Sequence, residues 1–160
     1  MGFVDRGYKG VTDQPRRYLM AKGSAAASRN LVAARVVYGA AWLACLALYW
    51  GGLATGALGG GGIMGYTLLA LYVVLPAAGF VSSLLIGRTA YLGRWRVAAA
   101  PAIAIFFGLF IKATFGLSNM LGLTNIADDG LFALVLGLVP AAIGLAIGWA
   151  TARRSVVGSQ

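Results

Sequence analysis

The sequence predicts an all-α integral membrane protein, four transmembrane helices in an antiparallel up-down bundle. Composition is the first reason: 60% of the 160 residues are hydrophobic, 11% are charged and the mean hydropathy is +0.83. Soluble domains carry about a quarter charged residues, so a water-soluble globule is excluded. The second reason is length. About 20 helical residues cross the roughly 30 Å of a hydrocarbon core, and apolar runs of that size fall at 31–53, 63–87, 95–117 and 131–152.

Charge placement is the third reason, and it sets the orientation. Arg6, Lys9, Arg16, Arg17, Lys22 and Arg29 precede the first run, against Asp5 and Asp13, and Arg35 lies just inside it. Arg88, Arg94 and Arg96 join the second run to the third, and Arg153 and Arg154 follow the fourth. The 54–62 connection is uncharged, and the 118–130 connection has only Asp128 and Asp129. Basic segments therefore alternate with uncharged or acidic ones, which places both termini in the cytoplasm. In so apolar a chain, the net charge of +9 is read as matched to anionic lipid at the cytoplasmic face and not to nucleic acid. Compact loops and short tails suit a bacterial plasma membrane.

Residues 1–30 form a basic cytoplasmic segment with a short surface helix, where Tyr18, Leu19 and Met20 dip into the interface. Its Arg16-Arg17 pair has the start of a twin-arginine export signal, but the 23-residue apolar run that follows is too long for a signal core. The lone Cys45, in mid-run, is a buried small hydrophobe with no disulfide partner. The glycines between 51 and 62 make a tight uncharged turn. Gly60, Gly62 and Gly65 fit G-x-G-x-x-G, yet no strand precedes them and no acid follows at the required distance, so no nucleotide site is expected.

Tyr49, Trp50, Tyr66, Tyr91, Trp95 and Trp149 stand near the run ends, where aromatic side chains anchor a helix at the membrane boundary. Pro76 and Pro140 each remove a backbone hydrogen bond and kink their helices. Thr67, Ser82 and Ser83 are expected to bond to carbonyls around the Pro76 kink or across helices. Residues 153–160 are a basic cytoplasmic tail.

Internal symmetry follows from the same runs. Leu75-Pro76-Ala77-Ala78 with Ile86-Gly87-Arg88 parallels Val139-Pro140-Ala141-Ala142 with Ile147-Gly148 and Arg153. Arg35-Val36 and Arg96-Val97 open the first and third runs, 41 and 44 residues ahead of the two prolines. Two repeated hairpins about an axis along the membrane normal would give this pattern. Small residues four apart let helix backbones approach. They occur as Gly79, Ser83 and Gly87, as Gly144, Gly148 and Ala152, and as Ala100, Ala104 and Gly108 leading to Lys112 and Gly116. These stripes pack the bundle or join a second copy or a larger membrane protein.

Chemistry has few candidates, because the chain contains no His and no Glu. Lys112 is the one charge well inside a run. Its long stem reaches the outer headgroups, or else its stripe turns it inward to meet Asp128 or Asp129 or to hold an anion at the outer mouth. Asp128 and Asp129 precede the fourth run, where acids cap a helix start. No cofactor or metal is indicated, since the acids lack further oxygen ligands and an acid–base partner. The expected function is that of a membrane protein without a catalytic site, a subunit, assembly or immunity-type accessory acting through helix contacts. The alternatives are a small oligomeric transporter or channel, for an anionic solute met by Lys112, and an enzyme using Asp128 and Asp129 on lipid-linked phosphate.

Overall fold

A computed structural model describes residues 13–127 and 130–157, and those residues are helical rods joined by short turns. The first, α1, is one helix from Asp13 to Ala54. The short surface helix expected before the first run is thus not a separate element; it continues unbroken into it. The second, α2, runs through Gly62–Leu69, a π turn at Ala70–Val74 and Leu75–Gly87. A 3₁₀ stretch, Ala90–Ala98, broken at Gly93, leads into the third. That rod, α3, comprises Ala99–Ile111, a second π turn at Lys112–Gly116 and Leu117–Met120. The fourth, α4, spans Gly130–Val157. Four stretches are long and apolar enough to cross a membrane: Ala27–Ala54, Gly62–Gly87, Leu92–Met120 and Leu131–Arg153.

The turn after α1 needs its glycines. Gly56, Gly60 and Gly61 have φ of +74°, +56° and +102°, a region that residues with a Cβ avoid. At Pro76 the missing N–H and the ring would disrupt a regular α-helix. The π turn just before it widens the coil, with the Leu75 N–H reaching back to the Ala70 carbonyl. Pro140 sits inside a helix with no such turn.

The most extensive helix contact is α2 against α4, and glycine makes it. A Cβ at Gly87 would fall 2.6 Å from the Leu145 carbonyl oxygen and 3.1 Å from Gly148 Cα. One at Gly148 would strike the Leu84 carbonyl oxygen and lie 3.0 Å from Gly87 Cα. Gly144 meets the Phe80 backbone in the same way. The α3–α4 contact uses Gly137, where a Cβ would stand 2.8 Å from Phe107 Cβ and 3.1 Å from Ala104 Cα. Ala100 and Ala141 extend that seam. The stripes of Gly79, Gly87, Ala104, Gly144 and Gly148 are therefore occupied within the chain.

Contact register gives the directions. Ala34 of α1 meets Ser82 of α2, and Cys45 meets Tyr66, so the two rods are antiparallel. Tyr38, Trp42 and Trp50 of α1 meet Ile103, Phe106 and Ala113 of α3 in rising order, so those two are parallel. In cross-section the order around the bundle is α1, α2, α4, α3. The core sits toward the glycine-turn end, where Tyr49, Leu75, Phe107 and Phe110 are fully buried.

Candidate functional site

Helices α1 and α3 touch through side chains more than through backbone. Tyr38 Oη donates to the Ile103 carbonyl at 3.3 Å, Trp42 Nε1 to Phe106 at 3.2 Å and Trp50 Nε1 to Ala113 at 3.2 Å. Aromatic side chains of that length hold the two helices apart. In the arginine-end half the gap remains as a groove of about 460 Å³ between α1, α2 and α3. Gly39, Trp42 and Leu43 form one wall, Ser82 and Ile86 the floor, and Ala102, Ile103 and Phe106 the other wall.

The groove's polar atoms already have partners. Ser82 Oγ donates to the Ala34 carbonyl at 3.0 Å, and the Tyr38 and Trp42 donors are used as above. What remains is an apolar trough with Arg35 at its rim, exposed. Among the described residues nothing pairs with the Arg35 guanidinium.

A second polar group lies at the opposite end. Tyr49 Oη, Ser118 Oγ and Thr124 Oγ1 follow one another at 2.6 Å spacings, and Thr124 donates to Asn119 Oδ1 at 2.8 Å. Each hydroxyl has one proton to give. Thr124 gives its proton to Asn119, Ser118 shares its proton between Thr124 Oγ1 and the Phe115 carbonyl at 3.1 Å, and Tyr49 donates to Ser118. Asn119 closes the chain, donating to the Ile126 carbonyl at 2.7 Å and accepting from the Ile126 N–H at 3.0 Å. The network ties α1 to the loop after α3, and every proton in it is committed to structure.

The third feature is cationic. Arg153 and Arg96 lie 3.9 Å and 5.0 Å from the Trp149 ring centre, and Arg96 Nη1 also reaches the Gly87 carbonyl at 3.5 Å. Cation–π contact fixes the 3₁₀ stretch onto α4.

Several sequence expectations change here. Lys112 is exposed, whereas Ala100 and Ala104 on its supposed stripe are buried. Steps of four residues overshoot a turn by about 40° each, so Lys112 is rotated about 120° from Ala100 and does not share its inward face. Tyr49 is buried within the bundle, and Tyr66 turns inward to donate to the Cys45 carbonyl at 2.7 Å. Ser82 bonds across helices as expected. Ser83 is buried with no partner for its Oγ among the described residues, and Thr67 bonds one turn back to Ile63 at 2.7 Å, away from Pro76. Asp128 and Asp129 lie outside the described residues.

Gly108 makes only ordinary contact with Leu134, while Gly137 carries a seam that the four-residue stripes do not include. Its signal is the seven-residue step from Gly137 to Gly144, two turns on the same face. Cys45 is buried, as expected of a small hydrophobe. Among the described residues no charged side chain is buried, and no three His, Cys, Asp or Glu side chains cluster.

No family model, curated protein or solved structure matches this chain.

The arrangement must therefore speak through its chemistry. It offers an apolar groove between α1, α2 and α3 rimmed by one cation, a smaller cavity of about 130 Å³ lined by Leu71, Phe107, Ile111 and Phe115, and no constellation able to move protons or hold a nucleophile among the described residues.

Proposed function

We propose that the chain is a four-span membrane protein of two like hairpins, with both termini and all arginine-bearing ends in the cytoplasm, working without a catalytic site as an accessory that binds in the plane of the membrane. The alternation of basic and uncharged connections supports the orientation. The hairpin repeat is supported by a common offset. Arg35-Val36 and Arg96-Val97 are 61 residues apart, and so are Leu84 to Gly87 and Leu145 to Gly148. Gly87 packs on Leu145 and Gly148 while Gly148 packs on Leu84 and Gly87. Such a reciprocal contact is what a two-fold relation produces.

The observation that carries the functional reading is where the open space lies. Phe107, Phe110 and Leu75 are buried at the bundle centre, leaving beside Phe107 a cavity of only about 130 Å³ lined almost wholly by apolar side chains, while the groove of about 460 Å³ lies between α1, α2 and α3. Transport would need a path lined by polar groups, and Lys112 stands on the exterior. A binding surface is at hand on α1, whose apolar stretch is 17% buried against 39%, 39% and 28% for the other three. Its exposed Ala33, Ala40, Ala44 and Ala47 let a partner helix approach closely.

Mild-detergent purification from native membranes, with reconstitution of the purified chain in liposomes, tests this. A stoichiometric companion chain and liposomes tight to small anions and cations are the expected results. Solute flux abolished by Lys112→Leu would overturn the proposal in favour of a transporter.

A further inference from the structure

We infer that the groove beside α1 is a binding site for one acyl chain of an anionic phospholipid, whose phosphate is held by Arg35 at the groove's rim. This rests on the membrane placement proposed above. From Ala34 to Leu43 the groove runs nine residues along α1, about 13 Å, and it ends among aromatic side chains. From Arg35 to Ala54 is nineteen residues, about 29 Å, close to one hydrocarbon thickness. With Ala54 at one face of the hydrocarbon, Arg35 stands at the other, level with the headgroups.

The lining selects the kind of occupant. Tyr38, Trp42 and Ser82 have spent their donors on helix carbonyls, so the trough offers an occupant dispersion and burial but no free hydrogen-bond donor from these side chains. Only its rim is charged, and the Arg35 guanidinium has no partner among the described residues. An apolar chain ending in an anion matches that gradient. The groove's volume lies within the range typical of small-molecule sites.

Charge argues against a second copy in the same place. Copies inserted in one orientation would bring Arg88, Arg94, Arg96 and Arg153 toward Arg35, cation against cation. Their described acids cannot answer, since Asp13 lies 22 residues from Arg35 on the same helix. A lipid of the anionic leaflet supplies the missing charge.

Trp42, in the groove wall, is the natural reporter. A chain carrying Trp50→Phe, Trp95→Phe and Trp149→Phe is reconstituted with brominated phosphatidylglycerol or brominated phosphatidylcholine, and quenching of Trp42 is measured. The anionic lipid is expected to quench with about fivefold preference, the worth of one arginine near an anionic surface. Arg35→Gln should abolish the preference, and Arg153→Gln should leave it intact. Gly39→Leu, whose side chain enters open space in the groove, should protect Trp42 from both lipids.

Equal quenching by the two lipids, or a preference that survives Arg35→Gln, would overturn the inference. So would full quenching in the Gly39→Leu chain, or a co-purifying helix that shields Trp42 from both lipids. If the Trp42-only chain fails to fold, native mass spectrometry of the otherwise unchanged protein decides. One phosphatidylglycerol retained by Arg35 and lost in Arg35→Gln supports the site; equal retention contradicts it. Recovery of the protein in the supernatant without detergent would instead refute the membrane placement itself.

Discussion

Gly148 and Gly65 are both helical glycines, yet a methyl group should act oppositely at them. At Gly148 it meets the Leu84 carbonyl, so α2 and α4 must part. Gly148→Ala should cost about 1–3 kcal/mol, the usual penalty of overpacking. At Gly65 it meets open space, and Gly65→Ala should stabilise the helix by about 0.5–1 kcal/mol. Thermal unfolding in detergent, followed by circular dichroism, checks both signs, and a neutral Gly148→Ala would contradict the packing described. The four-residue stripes make Gly144 and Gly148 legible in the sequence. The same spacing fails for the inward alternative at Lys112, because it drifts off the face it began on when followed for three turns, whereas the outward alternative is compatible with the exposure of Lys112. Ser83 is legible as a packing residue but not as an unsatisfied one, since its lack of a partner depends on what two other helices present to it.

Hydropathy exposes the helices, because a water-soluble core seldom contains unbroken apolar runs of membrane length. It does not show where α1 begins, since Gln14, Arg16 and Arg17 interrupt the apolar pattern while leaving the backbone helical. Nor does it show the π turns. The one at Ala70–Val74 accommodates Pro76. At Lys112–Gly116, Thr114 Oγ1 donates to the Phe110 carbonyl at 2.8 Å, the back-bond that threonine makes one turn away in a helix. The spacing of α1 from α3 is likewise set by side chains reaching across space. Removing two of its bridges with Tyr38→Phe and Trp42→Phe should loosen α1 alone. Interhelical hydrogen bonds in membranes average about 0.6 kcal/mol, so amide exchange in α1 should rise roughly five- to tenfold while α2 and α4 keep their protection. An equal rise in all four rods would mean that α1 is integral to the core and not a lightly held flank.

At the scale of the molecule, two hairpins dock through parallel pairs, α2 on α4 by glycine and α1 on α3 by aromatic bridges. The first pairing closes the bundle, and the second leaves the groove. The proposed hairpin likeness draws on the prolines and on the two Arg-Val pairs, all of them readable in the sequence. The groove is not, because its walls come from three helices distant in sequence and from the length of Tyr38 and Trp42. The whole reading needs the arginine end in the anionic leaflet, with Arg35 at headgroup level, and orientation is therefore the most direct test. With Cys45→Ala as background, single cysteines are placed by Gly59→Cys and Ser155→Cys and exposed to a membrane-impermeant maleimide. Labelling at position 59 in intact cells, and at position 155 only after permeabilisation, is the predicted result. Labelling at 155 from outside, or at 59 only from within, would contradict the account.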